Sequence, residues 1–351
     1  MNLEVAKNKI TPLDEEAMEL AQKKLDSLTK PLGSLGVLEE IAKKVAGITG
    51  NPQPKIGKKT IIVMAGDHGV VKEGVSAFPQ EVTPQMVFNF LNGGAGINVL
   101  AKHVGADVKV VDIGVAAPLE ASGLISRKIK MGTGNMVKGP AMSKDEAIAA
   151  IEVGIDVAEK EIAGGVTILG TGEMGIGNTT PSSAITAVFG DISVEEVVGK
   201  GTGIDDDRLN QKINIIKKAI QVNRPDPTDA IDVLTKVGGL EIAGLAGVVL
   251  GAAANQIPVV IDGFISGAAA LVALKIAPES VNYMIASHVS VEPGHKKVLE
   301  LLGLKPMLFM DMRLGEGTGA ALGINIVEAA CKIINEMATF EGAGVSEAED
   351  K

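Results

Sequence analysis

From Lys59 onward, short apolar segments alternate with helical patterns, and this alternation restricts the fold more than any other feature of the sequence. The segments are continuous apolar runs, which are typical of strands that helices cover on both faces. Strands and helices that alternate in this way build a parallel sheet. We therefore predict an α/β fold with a doubly wound, mostly parallel sheet in three layers, α/β/α. The predicted strands are residues 60–65, 108–113, 166–169, 258–261, 283–286 and 307–310.

Both ends of the sequence carry helical rather than strand patterns. Thr11 followed by Pro12 is typical of a helix start, and a second helix is predicted at residues 34–45. Residues 51–54 interrupt these helices, and a long helix is predicted at residues 318–337. We therefore predict three parts: a small helical domain of residues 1–50 and 317–345, a large α/β domain of residues 58–316 that carries the active site, and a mobile tail of residues 346–351.

The composition argues against several classes of protein. The 43 acidic residues outnumber the 33 basic ones, and aromatic residues make up only 2%, so no nucleic-acid surface is expected. Cys331 is the single cysteine and has no partner for an internal disulfide, which fits a reducing compartment. The N-terminus lacks a secretory signal pattern, and the longest apolar run, residues 242–254, predicts a buried helix rather than a membrane span. We expect a cytoplasmic protein.

A glycine-rich segment, residues 170–181, follows the predicted strand 166–169 and leads into a predicted helix at residues 181–189. Its glycines allow the backbone to turn tightly and to approach a ligand. Thr179 or Thr180 is predicted to cap the helix, and free N–H groups at a helix start attract phosphate. The spacing matches neither the dinucleotide fingerprint nor the Walker loop, so a turn that binds no ligand stays an alternative.

Glu173 lies inside the glycine-rich segment, where a carboxylate is unexpected if the segment only holds a phosphate. An acid is useful there if a cationic centre forms next to the phosphate, because a negative charge stabilises it. A sugar carbon that loses its leaving group is such a centre. The segment therefore indicates chemistry at a phosphorylated sugar.

Polar residues and glycines follow several of the predicted strands. Because the carboxyl ends of parallel strands lie along one edge of a sheet, these segments are expected to converge on one cleft. A polar loop at residues 199–206 precedes the helix that carries Lys212, which is either a phosphate contact or a solvated helix lysine. The segments after the strands are residues 66–69, 262–263, 287–295 and 313–319.

Each polar residue at these strand ends also has a purely structural explanation. Asp67 and His68 can cap the turn that follows them. Glu316, between two glycines, is either a base on a close-approach loop or an acid that complements a helix dipole. His288 and His295 lack a nearby third ligand, so no metal site is predicted.

The sequence resembles the nicotinate-nucleotide:dimethylbenzimidazole phosphoribosyltransferase family over nearly its whole length. The resemblance includes Ala-Gly-Asp-His-Gly-Val at residues 65–70 and Arg-Leu-Gly-Glu-Gly-Thr-Gly at residues 313–319. It implies transfer of ribose phosphate from nicotinate mononucleotide to a benzimidazole nitrogen, with nicotinate and α-ribazole phosphate as products. It also implies a homodimer that needs no cofactor and no metal. The other matching segments are residues 30–36, 74–83, 170–181, 201–203 and 287–295.

The resemblance also implies roles for individual residues. Glu316 matches the general base that takes the proton of the attacking benzimidazole, and Glu173 matches the acid that stabilises positive charge on the ribose. Three further groups of residues match binding positions. The phosphate or nucleotide group is Gly175, Ile176, Gly177, Asn178, Thr179, Thr180, Lys212 and Gly203; the base-pocket group is Ser76, Phe78, Gln85 and Leu314; the supporting group is Asp262, Ser287 and Ser290.

Two positions depart from the family pattern. Phe78 stands where tyrosine is common, and Gly134 stands where the family commonly has arginine or alanine. Neither belongs to the matched set of acids and phosphate ligands, so the departures concern the choice of base. Two other functions stay open. One is a non-catalytic module that binds a nucleotide or a cobamide precursor. The other is a dehydrogenase, but this sequence lacks the Gly-x-Gly-x-x-Gly motif that such an enzyme would have in its first βα unit.

Overall fold

The computed structural model of the chain describes residues 1–199, 201 and 205–346. Within these ranges six strands form one sheet: β1 Lys58–Gly66, β2 Ala106–Gly114, β3 Leu124–Ser126, β4 Val166–Met174, β5 Val259–Ile261 and β6 Met284–Ala286. All neighbours are parallel, and their order across the sheet is β3-β2-β1-β4-β5-β6. The chain therefore winds outward in both directions from the pair β1 and β4. The predicted fold class is confirmed.

Helices connect the strands and cover both faces of the sheet. Two short 3₁₀ helices, Gly69–Glu73 and Pro278–Tyr283, supplement them. The α-helices among the described residues are α1 Leu3–Lys9, α2 Glu15–Asp26, α3 Val37–Thr49, α4 Val82–Leu91, α5 Gly96–Val104, α6 Lys144–Ala163, α7 Thr179–Gly190, α8 Val194–Val197, α9 Asp206–Asn223, α10 Ala230–Val237, α11 Leu240–Ala254, α12 Phe264–Ile276, α13 Pro293–Leu302, α14 Thr318–Glu336 and α15 Phe340–Ala343.

Side chains along each central strand alternate between two apolar layers. On β1, Ile62 and Met64 pack with the layer of α6, α7, α11 and α12. Ile61 and Val63 pack with the opposite layer, which contains α3, α5 and α14. Because both faces of the sheet are covered, the strands carry continuous apolar runs. Helix α11 is buried over nearly its whole length, as predicted for residues 242–254.

Two strand predictions are wrong. Residues 307–310 form no strand, because Leu308 makes only a single bridge with His288 and Phe309 is 75% exposed. Strand β3 is missing from the prediction because its three residues are too few to produce an apolar run. The sheet therefore has six strands, as predicted, but its sixth strand is β3 at one edge, and the predicted strand 307–310 does not extend the opposite edge.

The predicted helix start at Thr11 is also wrong. Helix α2 begins at Glu15, and the side chain of Asp14 caps it by accepting a hydrogen bond from Ala17 N–H at 2.9 Å. An aspartate is a stronger N-cap than a threonine that precedes proline, because its carboxylate also complements the positive end of the helix.

The two ends of the chain meet beside α14. Leu28 forms an antiparallel bridge with Thr339, and Thr29 N–H donates to the carbonyl of Ala338 at 3.0 Å. Helix α14 packs against α3 and also against the sheet, so its apolar residues belong to the layer that covers one sheet face. A small helical domain separate from the large one stays a prediction. Residues 347–351 of the predicted tail lie outside the described part of the chain.

Candidate active site

A cavity of about 700 Å³ opens at the carboxyl ends of β4 and β5, next to the point where the sheet winds outward in both directions. Open α/β sheets bind their ligands at this point because the two connections leave a crevice between them. The volume lies in the range of small-molecule sites. The lining residues are Val75, Ser76, Phe78, Val82, Met86, Glu173, Met174, Gly175, Ile176, Gly177, Asn178, Thr179, Gly201, Gly263, Phe264, Ile265, Ser266, His288, Ser290, Glu292, Arg313, Leu314, Gly315 and Glu316.

The glycine-rich segment divides between a strand and a turn. Residues 170–174 extend β4, so the turn itself is only Gly175–Asn178. Gly177 has φ of +87°, and a Cβ there would lie 2.6 Å from Val71, so both the backbone angle and the space require glycine. Asn178 rather than Thr179 or Thr180 occupies the cap position of α7, which corrects the predicted cap. The Thr180 side chain is fully buried and does not line the cavity.

The start of α7 leaves backbone donors free. No side chain caps this helix, and it has no acidic residue in its first turn. Ile176 N–H is occupied, because it donates to Thr83 Oγ1 at 3.1 Å. The N–H groups of Gly177 and Thr179 have no partner among the described residues, so they are available to an anion.

Lys212 brings a positive charge to the same place. Its Nζ lies behind the cavity wall and donates to Thr179 Oγ1 at 2.6 Å. Burial lowers the pKa of Lys212 to about 8, and the nearby carboxylate of Glu292 opposes this shift. An anion bound at the start of α7 would therefore also favour the charged lysine. Gly203, predicted at this site, lies outside the described residues.

Glu173 is buried near the end of β4 with little access to solvent. Its Oε2 accepts a hydrogen bond from Asn178 Nδ2, and a Cβ at Gly315 would collide with its Oε1. Burial raises the pKa of Glu173 to about 8, and the charges of Asp262 and Glu241 add to the shift. The carboxyl is therefore largely protonated at neutral pH until a positive charge enters the cavity.

Glu316 precedes α14, but its carboxylate is held by the start of a different helix, α5. Its Oε2 accepts from Ile97 N–H at 3.1 Å, and Gly96 N–H also contributes, so the carboxylate sits at the start of α5 rather than capping α14. Burial raises the pKa of Glu316, and these two N–H groups oppose the shift. Glu316 itself has φ of +62°, between Gly315 at +80° and Gly317 at +96°. Such a backbone is strained for a residue with a side chain and clusters at functional sites.

Asp262 organises the loop that carries Glu316. One carboxylate oxygen accepts from Gly319 N–H at 2.7 Å and from Ala320 N–H at 3.1 Å, and the other accepts from Gly317 N–H at 3.1 Å. Burial raises the pKa of Asp262 to about 7 in spite of these donors. The side chain thus caps α14 and does not line the cavity.

The structure separates the residues predicted for the base pocket. Ser76, Phe78 and Leu314 line the cavity, and Phe78 is 52% exposed. Gln85 is exposed on α4 and is not part of the wall. The α4 side chains on the wall are Val82 and Met86.

Two serines predicted as supporting residues differ in position. Ser290 lines the cavity, and its N–H donates to His295 Nδ1 at 2.8 Å. Ser287 lies behind the wall, where its Oγ donates to the carbonyl of Asp262 at 3.2 Å. Ser287 therefore supports the strand end, and Ser290 can meet a ligand.

Sequence reasoning gave no role to Thr83, Glu292 or Glu241, and it considered His68 only as a cap of the following turn. Thr83 and Glu292 carried no signal beyond lying within the matched segments 74–83 and 287–295. His68 forms a fully buried pair with Glu241, whose Oε1 lies 2.8 Å from its Nε2; burial lowers the pKa of His68, but the Glu241 charge outweighs this and raises it. Glu241 lies in the first turn of the apolar helix α11, and its charge beside the apolar run 242–254 was the available signal.

The described part of the chain lacks two further features. Among residues 1–199, 201 and 205–346, no group of three or more His, Cys, Asp and Glu side chains has an arrangement that could hold a metal ion. No described helix combines the length and apolar character needed to cross a bilayer.

A free helix start backed by a lysine, next to buried carboxyl groups, is an arrangement for an enzyme that transfers a phosphorylated sugar through a cationic centre. The chain belongs to the phosphoribosyltransferase family, whose model matches residues 10–345. The family resemblance found in the sequence is confirmed.

Similar proteins share this architecture and sequence over nearly their full lengths. The nicotinate-nucleotide–dimethylbenzimidazole phosphoribosyltransferase of Desulforamulus reducens is 61% identical over 341 residues, which are 97% of each chain. That of Citrifermentans bemidjiense is 59% identical over 98% of this chain and 99% of its own. The crystal structure of CobT from Thermus thermophilus superposes with a TM-score of 0.92 at 45% identity, covering 95% of this chain and all of that one.

Proposed function

We propose that this chain transfers the ribose phosphate of nicotinate mononucleotide to dimethylbenzimidazole or a related base. The products are nicotinate and α-ribazole phosphate, the nucleotide of the cobalamin lower ligand. The observation that carries the proposal is that Glu316 and Glu173 line the same cavity as the free start of α7. The names of relatives that are up to 61% identical over nearly the full length support it.

The phosphate of the nucleotide binds at the start of α7. The N–H groups of Gly177 and Thr179 donate to it, and Lys212 supplies a positive charge from behind Thr179. This anchor places the ribose against the carboxyl of Glu173, which precedes the turn. Binding of the phosphate fixes the reacting carbon without contributing to its chemistry.

The bond between the ribose C1′ and the pyridinium nitrogen breaks, and its electron pair returns to the ring. Nicotinate therefore leaves with a neutral ring, while positive charge grows on the ribose. The ionised form of Glu173 stabilises this charge, and the cationic substrate favours that ionised form.

The benzimidazole nitrogen forms the new bond to C1′, and Glu316 takes the N–H proton of the ring. A carboxylate whose pKa is raised toward the working pH is suited to this step. The donors at the start of α5 hold Glu316 in one orientation. Ser76, Phe78 and Leu314 form the wall on which the base lies.

A homodimer and a cytoplasmic location complete the proposal. Two large apolar side chains near the segment that carries Glu316 are exposed, Phe309 at 75% and Met310 at 54%. Contact with a second copy would cover them. Sedimentation of the purified protein measures the oligomeric state.

The activity is tested by incubating the purified protein with nicotinate mononucleotide and dimethylbenzimidazole. Release of nicotinate together with formation of α-ribazole phosphate supports the proposal. Binding of both substrates without any turnover would identify a binding module instead. Omission of the base is the control, because release of nicotinate must then fall if the base is the acceptor.

A further inference from the structure

A buried ion pair lies behind the cavity wall. His68 follows β1, Glu241 lies in the first turn of α11, and Nε2 of His68 is 2.8 Å from Oε1 of Glu241. Both side chains are almost fully buried, and neither lines the cavity. The positive end of the α11 dipole favours an ionised carboxylate at this position. The pair therefore brings a negative charge close to the site without exposing it to a ligand.

One carboxylate oxygen of Glu241 is left without compensation. Its Oε2 is buried and has no hydrogen-bond partner among the described residues. This oxygen faces the end of β1, where a Cβ at Gly66 would lie 3.2 Å from it. Little solvent screens a charge at such a place, so its influence on a neighbouring titratable group is larger than it would be at the surface.

Glu173 is on the same side of the sheet as Glu241. Side chains along β4 alternate between the two apolar layers: Leu169 packs with the layer of α11, and Met174 packs with the opposite layer. Glu173 is four residues after Leu169, so it faces the α11 layer. The β1 residue opposite Glu173 is two positions before Gly66, on the same face. Because Gly66 has no side chain, that position places nothing between the two carboxyl groups.

The imidazole of His68 fills the space between this pair and the turn after β4. A Cβ at Gly175 would lie 3.2 Å from Nε2 of His68 and would collide with the carbonyl oxygen of Gly66. The turn can therefore pass close to the pair only with glycine at this position. Gly175 lines the cavity, so one backbone segment separates the buried pair from the ligand space.

The charges around Glu173 come from several elements. Burial raises its pKa to about 8; the charges of Asp262 and Glu241 add to the shift, Asn178 opposes it, and Glu316 adds to it. Asp262 and Glu316 accept hydrogen bonds from N–H groups at the starts of α14 and α5, whereas no described N–H group of the backbone donates to Glu241. The other charged or titratable groups at this end of the sheet are Asp67, His68, Lys212, His288, Glu292, His295 and Arg313.

We propose that Glu241, paired with His68 behind the cavity wall, is a positioning residue that keeps Glu173 protonated until a cationic nucleotide enters the cavity. The inference rests on the proposed function, which supplies the cationic substrate. Glu241 contacts no substrate and acts through Glu173, because its negative charge opposes a second one nearby. The positive ring of the nucleotide reverses this balance, and the proton of Glu173 passes to water through the open cavity.

Two variants of Glu241 and a matched control separate its charge from its packing. Glu241→Gln keeps the shape of the side chain and an oxygen that can accept from His68, but removes the charge. Glu241→Asp keeps the charge on a shorter side chain. Glu39→Gln is the control, because Glu39 forms another buried ion pair, 2.9 Å from Nζ of Lys30, and neither of these two residues lines the cavity.

The protonation of Glu173 is measured in ligand-free protein by carbon-13 NMR with label in the glutamate side-chain carboxyl groups. The resonance is assigned by its absence in Glu173→Gln. In the native protein we expect a titration midpoint at about pH 8. Glu241→Gln should lower the midpoint by roughly 1 pH unit or more, because a nearby like charge is removed. Glu241→Asp should stay within about 0.5 pH unit of native, and Glu39→Gln should not move the midpoint.

The pH dependence of kcat/KM for nicotinate mononucleotide gives a second measurement, because it reports ionisation of the free enzyme. Activity should rise with pH as Glu173 ionises. In Glu241→Gln this rise should move to lower pH by the same amount as the NMR midpoint, so kcat/KM at pH 6, relative to its own plateau, should increase about 10-fold. A purely structural role of Glu241 would lower the plateau without moving the rise.

An unchanged Glu173 midpoint in folded Glu241→Gln overturns the inference, and so does an equal shift in Glu39→Gln. If Glu241→Gln does not fold, the native protein decides: at pH 7 a protonated Glu173 beside an ionised Glu241 supports the inference, and a protonated Glu241 overturns it. Failure of the proposed function has a different signature. The native protein would then release no nicotinate when both substrates are present, while the Glu173 midpoint would still move in Glu241→Gln.

Discussion

Thr83 Oγ1 accepts a hydrogen bond from the backbone N–H of Ile176 at 3.1 Å, which joins α4 to the turn after β4. Thr83 itself is fully buried. Val82 and Met86, on either side of Thr83 in α4, line the cavity. The wall predicted to hold the base and the turn predicted to hold the nucleotide are therefore connected through one buried side chain.

Replacing Thr83 by valine should weaken the nucleotide site. Valine has a similar shape but leaves Ile176 N–H buried without an acceptor, which costs roughly 1–3 kcal/mol. We expect a lower free energy of unfolding and a higher KM for nicotinate mononucleotide, with a smaller change in kcat. Thr83→Ser, which keeps the hydroxyl, should restore both. If the serine variant is as impaired as the valine variant, the methyl group rather than the hydrogen bond is what matters.

Replacing Glu316 by glutamine should reduce kcat by about 10²–10⁴-fold, the usual contribution of general base catalysis. The amide oxygen can still accept from Ile97 N–H, so the loop should keep its position. Affinity for nicotinate mononucleotide, measured by calorimetry in the same preparation, should therefore stay close to native. Full turnover in a folded Glu316→Gln protein would remove Glu316 from the mechanism.

Glu173 should make the free protein less stable as the pH rises. Burial raises its pKa from 4.5 to about 8, so the folded protein keeps a proton that the unfolded chain releases above its own pKa. This stabilisation is complete below the unfolded pKa and is lost as the pH rises toward 8. Relative to Glu173→Gln, the free energy of unfolding of the native protein should fall by up to about 1.4 kcal/mol per pH unit in that window.

Urea unfolding of both proteins at several pH values measures this difference. Asp262 and His68 also titrate in the folded protein, but both are present in the two proteins, so the comparison isolates Glu173. Parallel pH dependence of the two unfolding curves would show that Glu173 is ionised in the free protein.

Replacing Phe78 by tyrosine should change the choice among bases more than the ability to transfer ribose phosphate. Phe78 lines the cavity and is half-exposed, and no described hydrogen bond or ion pair connects its side chain to Glu173 or Lys212. When a bound base covers residue 78, a hydroxyl left without a partner costs roughly 1–3 kcal/mol, and this cost falls unequally on bases that can and cannot bond to it. Competition between dimethylbenzimidazole, adenine and a phenol measures the product ratio. Identical ratios for the two proteins would place Phe78 outside the base pocket.

The layered fold was predictable because strands that are buried on both faces of a sheet carry continuous apolar runs in the sequence. A run of the same kind gave a wrong prediction at residues 307–310, where Phe309 and Met310 are apolar but exposed. Apolar character shows that a side chain avoids water in some context, and it does not show which surface covers it. Three-residue β3, by contrast, is too short to leave a pattern.

The rule for parallel sheets predicted that segments at the carboxyl ends of strands meet at one cleft, and Glu173, near the end of β4, lines the cavity. Glu316 lines it too, although the strand predicted before its loop does not form. The partners of these side chains were not predictable. Glu316 is held by Ile97, 219 residues earlier in the chain, and Ile176 is held by Thr83. Such pairs depend on how helices pack against the sheet, and the local sequence around either residue does not indicate this packing.

The capping of α14 by Asp262 has a consequence for the order in which the protein is made. Gly317 N–H and its acceptor on Asp262 are 55 residues apart, and α14 is the last long helix to be synthesised. Until α14 leaves the ribosome, Asp262 lacks these N–H donors, and the Glu316 loop is held only by the start of α5. We therefore expect the cavity to take its final shape only when the last long helix has been made.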